Sequence, residues 1–121
     1  MNSSEIAQLQ QMLIEFRDQR NWQQFHKLKD LIISLNLEAS ELLELTQWKT
    51  DEQIEAAANN AEFKQNLADE CADVFSYLLL ICDRSGIDLV TATKEKIQKN
   101  ALRYPVEQSF NSAQKYTEFK E

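Results

Sequence analysis

Residues 31–45 read LIISLNLEASELLEL, and this stretch carries the pattern on which the fold depends. The leucines that recur at the spacing of one helical face are Leu31, Leu35, Leu42 and Leu45. Glu38 falls near the middle of that face, and Glu41 follows three positions later, so both carboxylates point the same way. Burying a carboxylate on an apolar face is costly unless a cation compensates it. The stretch therefore predicts a helix with an acidic site on its inner side.

A second acidic pair lies in residues 67–84, LADECADVFSYLLLICDR. The positions predicted to form the apolar face of this helix are Leu67, Cys71, Val74, Phe75, Leu78, Ile81 and Cys82. Glu70 and Asp73 flank that face three residues apart, and Tyr77 continues the same flank. If the two helices pack together, four carboxylates meet at one place, where a hard divalent cation is the natural ligand. Glu41/Glu44 and Glu52/Glu55 share the spacing, which is also typical of a solvated helix face.

The residue types available narrow the choice of metal. His26 is the only histidine, and Gln23 stands three residues before it, so the Glu-x-x-His pairs of di-iron bundles are absent. Zinc prefers groupings of histidine and cysteine that this chain does not offer. Ligation by carboxylates alone points to Mg²⁺, with Mn²⁺ as a substitute.

The rest of the chain predicts an all-α fold, since 121 residues include one glycine and one proline. We expect a four-helix core bundle with an irregular C-terminal tail, assembled as an oligomer. The first helix begins at Ser3 or Ser4 and turns Ile6, Leu9, Leu13 and Phe16 inward. The other predicted segments are helices at about Phe25–Trp48, Glu52–Ala58, Ala61–Arg84 and Leu89–Arg103, with Asp88 as N-cap, a stop at Gly86 and a tail at Val106–Glu121.

Composition excludes several classes of function. A formal net charge of −7 argues against binding to a nucleic-acid polymer. No apolar run has the length of a membrane span, and MNSSEIAQLQ lacks the features of a signal peptide. Cys71 and Cys82 lie too far apart on one predicted helix to bond, which favours a cytoplasmic location. With Gly86 as the only glycine, a P-loop is excluded.

Two further groups of residues have open interpretations. Lys96, Asn100 and Arg103 share one face of the fourth helix, either as a clamp for phosphate oxygens or as a solvated basic face. The aromatic and imidazole side chains near helix ends or acidic positions are Trp22, Phe25, His26, Trp48 and Tyr77. They suit either stacking on a nucleotide base or ordinary core packing. Trp48 is predicted to lie on the same side of its helix as Glu41.

Several motifs together resemble one known family. They are EASE at Glu38–Glu41, ECAD at Glu70–Asp73, RNWQQFH, LTQWK, DECADVFSYLLL, KNALRYPV and SAQKYTEF. The chain resembles the MazG-like all-α nucleoside triphosphate pyrophosphohydrolases, and most of all the short branch that includes dCTP pyrophosphatase. The likeness covers nearly the whole chain. The connection Asp51–Glu62 is the segment that differs.

The resemblance implies a Mg-dependent enzyme that converts a dNTP to dNMP and pyrophosphate, in house-cleaning or control of the dNTP pool. Mg²⁺ would be held by Glu38, Glu41, Glu70 and Asp73, with Glu41 or another of the four taking the proton from water. Lys96, Asn100 and Arg103 would hold the phosphates. Trp22, His26, Trp48 and Tyr77 would form the base and sugar pocket. The implied organisation is a catalytic domain at 1–105, a tail at 106–121 that straps a neighbouring subunit, and a homotetramer (dimer of dimers) rather than a dimer.

Three alternatives remain at this point. The chain could be a non-catalytic helical nucleotide sensor or assembly module that kept the pocket. It could be a related pyrophosphohydrolase that acts on dUTP, phosphoribosyl-ATP or a modified nucleotide. It could also be a purely structural bundle. An intact set of four acidic residues favours the enzyme, because binding alone would not need so many.

Overall fold

A computed structural model of the chain describes residues 4–119, which contain six α-helices and two short 3₁₀ turns and no strand. The helices are α1 (Glu5–Gln19), α2 (Leu28–Glu44), α3 (Asp51–Ala57), α4 (Ala61–Ser85), α5 (Leu89–Arg103) and α6 (Val106–Ser109). The chain divides into two compact units, Met1–Gly86 and Ile87–Glu121. The all-α class is confirmed, whereas a core of four helices is not, because six helices form. Along the described residues, no helix has the length and apolar character needed to cross a membrane.

Local hydrogen bonds explain where several helices begin and end. Ser4 Oγ accepts from the N–H of Ala7 at 3.1 Å, and Asp88 Oδ1 accepts from the N–H of Thr91 at 3.0 Å. Thr50 forms a reciprocal capping box with Gln53 at the start of α3. Gly86 ends α4 in the left-handed region, with φ +65°. The predicted caps Ser4, Asp88 and Gly86 are confirmed, while Ser3 lies outside the described residues.

The core of the first unit forms where α2 packs along α4 and α1 packs on α4. Leu31 on α2 is 2 % exposed and Leu79 on α4 is 1 % exposed, and Leu80 and Cys82 are buried beside them. Gln10 Nε2 on α1 donates to the carbonyl oxygen of Leu79 at 3.1 Å. This contact joins residues far apart in the chain and lies on the face of α1 that turns inward.

The inward face of α1 differs from the predicted one. The half-buried side chains of this helix are Ile6, Gln10, Leu13, Ile14 and Arg17. Leu9 and Phe16, which were predicted to point inward, are 39 % and 49 % exposed. The prediction was wrong for these two residues, because the stripe that faces α4 is an adjacent one, which also carries Gln10 and its contact with Leu79.

Helix α2 is shorter than predicted at both ends. At its start, residues Gln23–Phe25 form a 3₁₀ turn, so α2 begins at Leu28. At its end, Leu45 donates to the carbonyl of Leu42 at 3.2 Å, and Thr46 Oγ1 donates to the carbonyl of Leu43 at 2.8 Å. These tight local bonds stop the regular helix at Glu44.

The predicted apolar face of α4 is only partly covered. Cys71 is exposed and the side chain of Phe75 is 37 % exposed, whereas Leu79, Leu80 and Cys82 further along are buried. The prediction that Cys71 and Phe75 point into the core was therefore wrong for this chain.

In the second unit, the predicted irregular tail has helical structure. It forms α6 at Val106–Ser109 and a 3₁₀ turn at Tyr116–Glu118. The ring of Tyr104 lies 5.7 Å from the ring of Tyr116 and 5.6 Å from that of Phe119, both edge to face. Contact among these rings stabilises the segment, which composition did not indicate. Residues 120 and 121 of the predicted tail lie outside the described residues, and the domain limits 1–105 and 106–121 stay a prediction.

Candidate metal and nucleotide site

Four carboxylates meet between α2 and α4. Glu38 and Glu41 come from α2, and Glu70 and Asp73 come from α4. One oxygen from each residue can be chosen so that all four lie within 4.8 Å of one another. The E-x-x-E and E-x-x-D spacings place each pair on one helix face, and the packing of α2 on α4 brings the two faces together. The arrangement has the geometry of a cation site.

Burial and mutual repulsion make this cluster hard to ionise completely. Burial raises the pKa of Glu38 to about 7, helped by a hydrogen bond with Glu41 and by the charges of Glu41, Asp73 and Glu70. Burial also raises the pKa of Glu70, and the neighbouring charge of Glu41 adds to the effect. In the absence of a cation, Glu38 is therefore partly protonated near pH 7.

The donor set fits a hard divalent cation. Within the described part of the chain, the Oε2 atoms of Glu38 and Glu70 are buried without a hydrogen-bond partner. A buried carboxylate oxygen without a partner is costly, and a bound cation would remove that cost for both residues at once. Oxygen ligands alone match Mg²⁺ or Mn²⁺ better than zinc or copper.

A cavity of about 270 Å³ lies beside the cluster, with Asp73 in its wall. The other residues that line it are Leu13, Phe16, Arg17, Trp22, His26, Ser76, Tyr77 and Leu80. A neighbouring cavity of about 240 Å³ shares Trp22, His26 and Tyr77 with the first. Three of the four residues predicted for the base and sugar pocket are thus brought together next to a carboxylate of the cluster.

Local contacts hold Trp22 and His26 in the cavity walls. Trp22 packs edge to face on Phe16 with ring centroids 5.9 Å apart, and the guanidinium of Arg20 lies 3.6 Å from the centre of the Phe16 ring. Asn21, with φ +54°, lies in the turn between Phe16 and Trp22. Burial, and secondarily the charge of Arg17, lowers the pKa of His26, whose imidazole is therefore neutral at pH 7.

Trp48 is not brought to this site within the chain. It follows the end of α2, has φ +65° and is 93 % exposed, so its predicted position on the helix beside Glu41 was wrong. The cause is the early end of α2 at Glu44. Its part in a base pocket stays a prediction.

The predicted phosphate clamp lies in the second unit. Lys96, Asn100 and Arg103 are exposed on α5. The guanidinium of Arg103 lies 5.0 Å from the centre of the Tyr116 ring, so the C-terminal segment holds this side chain. Their binding of phosphate remains a prediction.

Arg17 is a candidate that the sequence interpretation missed. Its side chain is 12 % exposed and lines the cavity that also holds His26 and Asp73. The signal was available in the sequence, because Arg17 follows Leu13 by four residues and so shares its helix face. Arg17 on α1 thus resembles Glu38 on α2, because each is a charged residue on a largely apolar helix face.

Comparison with known proteins places the chain in a family. Residues 33–119 match the profile described as the MazG-like family, and this range includes all four carboxylates. The chain belongs to the MazG-like family. The predicted resemblance is thereby confirmed.

Several relatives of this MazG-like chain have names that state an activity. It is 36 % identical over 113 residues to dCTP pyrophosphatase 1 from Bos taurus, covering 93 % of this chain and 67 % of that protein. The protein of the same name from Homo sapiens is 34 % identical over 113 residues, with 66 % of its length covered. This chain thus spans about two thirds of these relatives. The crystal structure of a pyrophosphatase from Archaeoglobus fulgidus matches with a TM-score of 0.77 and 37 % identity, covering 87 % of this chain and 96 % of that one.

Proposed function

We propose that this MazG-like chain is a nucleoside triphosphate pyrophosphohydrolase that converts dNTPs to dNMPs and pyrophosphate with Mg²⁺. The observation that carries the proposal is the convergence of four carboxylates, two with buried oxygens that lack partners, beside an aromatic cavity. The names of the relatives, dCTP pyrophosphatase and a pyrophosphatase, support the reaction class. An acidic site next to a cavity lined by aromatic rings suits a substrate that joins a base to a polyphosphate.

The metal would be held by Glu38, Glu41, Glu70 and Asp73, with Mn²⁺ as a possible substitute. When bound, it supplies positive charge to the phosphate oxygens and orients the bond between the α and β phosphorus atoms. The carboxylates themselves hold the ion and keep an acceptor for a proton close to the reacting phosphate. Glu41, the exposed member of the α2 pair, is our proposed acceptor of the proton from the attacking water.

The cavity supplies binding and orientation. Trp22 and Tyr77 offer aromatic surfaces for the base, and the neutral imidazole of His26 offers a polar contact to the base or sugar. Lys96, Asn100 and Arg103 are our proposed ligands of the phosphate chain. Positioning the nucleotide by its base leaves the triphosphate at the acidic cluster, since Asp73 belongs to both the cavity wall and the cluster.

We further propose that the chain acts as a cytoplasmic homo-oligomer, with a tetramer favoured over a dimer. Ile32, Leu37 and Leu43 on α2 are 50 %, 58 % and 68 % exposed. Apolar side chains exposed together on one helix are typical of a surface that another protein covers. Contact with a neighbouring subunit would also give the exposed Trp48 a place in a pocket. House-cleaning or control of the dNTP pool is the proposed role.

The experiment is pyrophosphate release from a panel of canonical dNTPs and NTPs, with Mg²⁺ and with EDTA. We expect release that requires the metal and that falls at least about 100-fold in Glu38→Gln, because one ligand of the cation site loses its charge. Glu44→Gln is the matched control, since Glu44 lies exposed on the same helix outside the cluster.

Release that persists in EDTA, or in Glu38→Gln, would contradict the metal site. A protein that binds dNTPs with Mg²⁺ but releases no pyrophosphate from any of them would be a nucleotide sensor instead. Turnover of dUTP or a modified nucleotide alone would keep the reaction and change the substrate.

A further inference from the structure

Arg17 is a mostly buried cation with unused hydrogen-bond donors. Its side chain is 12 % exposed, and its Nε atom donates to Asp18 Oδ1 at 2.9 Å. Among residues 4–119, no other group pairs with the guanidinium, so the two terminal nitrogens keep their N–H donors. A ligand with acceptor atoms that enters the cavity would accept these hydrogen bonds in place of water.

The surroundings of Arg17 show what kind of ligand would reach it. Among the residues that line its cavity it is the only lysine or arginine, and most of the others are apolar or aromatic. A triphosphate would lie at the acidic cluster, and Asp73 belongs both to that cluster and to the wall of this cavity. The part of the cavity lined by the aromatic rings of Phe16, Trp22 and Tyr77 suits a base rather than a phosphate.

His26 also has a polar atom without a hydrogen-bond partner in this cavity. Its Nδ1 atom is buried without a partner among the described residues, and it lines the cavity that Arg17 lines. Two polar side chains on different elements, α1 and the turn before α2, thus line one largely apolar cavity: Arg17, whose terminal N–H donors are not used by Asp18, and His26, whose Nδ1 is unpaired. This arrangement is typical of a pocket in which a few polar groups set the orientation of a ligand.

We propose that Arg17 selects the base of the nucleotide by donating two parallel hydrogen bonds to two adjacent acceptor atoms. The inference rests on the proposed function and names a determinant of specificity within it. Cytosine offers O2 and N3 as neighbouring acceptors, and guanine offers O6 and N7. Adenine and thymine have no two adjacent acceptor atoms, because a donor or a carbon stands beside each acceptor. A planar guanidinium therefore discriminates in favour of cytosine and guanine.

The test compares kcat/KM for dCTP, dGTP, dTTP and dATP in the wild type, Arg17→Gln and Arg17→Lys. We expect the wild type to prefer dCTP or dGTP. Both variants should lose about 5- to 150-fold of that preference, the range for one bidentate contact to a base. Lysine keeps the charge but lacks the planar fork, so it should not restore the preference. Arg84→Gln is the control, because Arg84 is exposed at the end of α4 and lines neither cavity.

An equal loss for all four nucleotides would overturn the proposal and indicate a phosphate contact. Unchanged kinetics in both variants, or a wild type that prefers dATP or dTTP, would also overturn it. Calorimetric binding of deoxycytidine and deoxyuridine in EDTA gives a readout without phosphate, metal or turnover. The wild type should bind deoxycytidine more tightly, and Arg17→Gln should lose the difference. If the wild type releases no pyrophosphate, the proposed function fails, while nucleoside binding still decides the role of Arg17.

Discussion

Replacing Glu38 with glutamine should change how the stability of the metal-free protein depends on pH. The pKa of Glu38 is raised from 4.5 to about 7 in the folded chain. Between these two values the folded state binds more protons than the unfolded state, so the free energy of unfolding falls as pH rises. Glutamine does not titrate, and Glu38→Gln should therefore remove that part of the fall.

The magnitude follows from the size of the shift. About 2.5 pH units at about 1.4 kcal/mol per unit give an upper value of roughly 3 kcal/mol. Because the site is partly open to solvent, screening reduces this to about 1–2 kcal/mol. In EDTA, Glu38→Gln should thus be about 1–2 kcal/mol more stable than the wild type at pH 8, and equally stable near pH 4.

The assay is urea unfolding in EDTA from pH 4 to pH 8.5, at one protein concentration so that any assembly contributes equally. Glu44→Gln serves as the control and should follow the wild type. Addition of Mg²⁺ should stabilise the wild type increasingly above pH 7, since the ligands must be deprotonated, and should stabilise Glu38→Gln less. Parallel pH profiles for wild type and Glu38→Gln would refute the reasoning about the acidic cluster.

Two other predictions concern parts of the chain outside the cluster. Gly86→Ala should lower the free energy of unfolding by about 1 kcal/mol, because φ is +65° there and a side chain strains that backbone conformation. The added Cβ meets no atom within 4 Å, so a steric clash does not contribute. Gly86→Asn should lose less in the same urea titration, and an equal loss would argue against backbone strain as the cause. In thiol labelling at pH 8, the exposed Cys71 should react quickly, whereas Cys82, buried and with a raised pKa, should react only after unfolding. Cys71→Ser should remove the fast phase, and a fast phase that survives would show that Cys82 is accessible.

Much of the acidic site was predictable because its determinants are local. The three-residue spacing of Glu38 with Glu41, and of Glu70 with Asp73, fixes the relative direction of each pair once a helix forms. Helix ends were predictable where a side chain caps the backbone next to it, as Ser4 and Asp88 do. The end of α2 was not, because the turn after Glu44 follows an apolar stretch with no glycine or proline to mark it.

The sequence by itself determined the all-α class, the two acidic pairs and the apolar face of α2, whereas on α4 it missed the buried Leu79 and Leu80. The features that it determined follow from the helical period, which acts over a few residues. Tertiary structure alone decided which stripe of α1 faces α4, and that stripe includes Gln10, which contacts a carbonyl 69 residues away. That rotation places Arg17 in the cavity with His26 and Asp73. Periodicity sets which residues share a helix face, but only contacts between distant segments decide what that face meets.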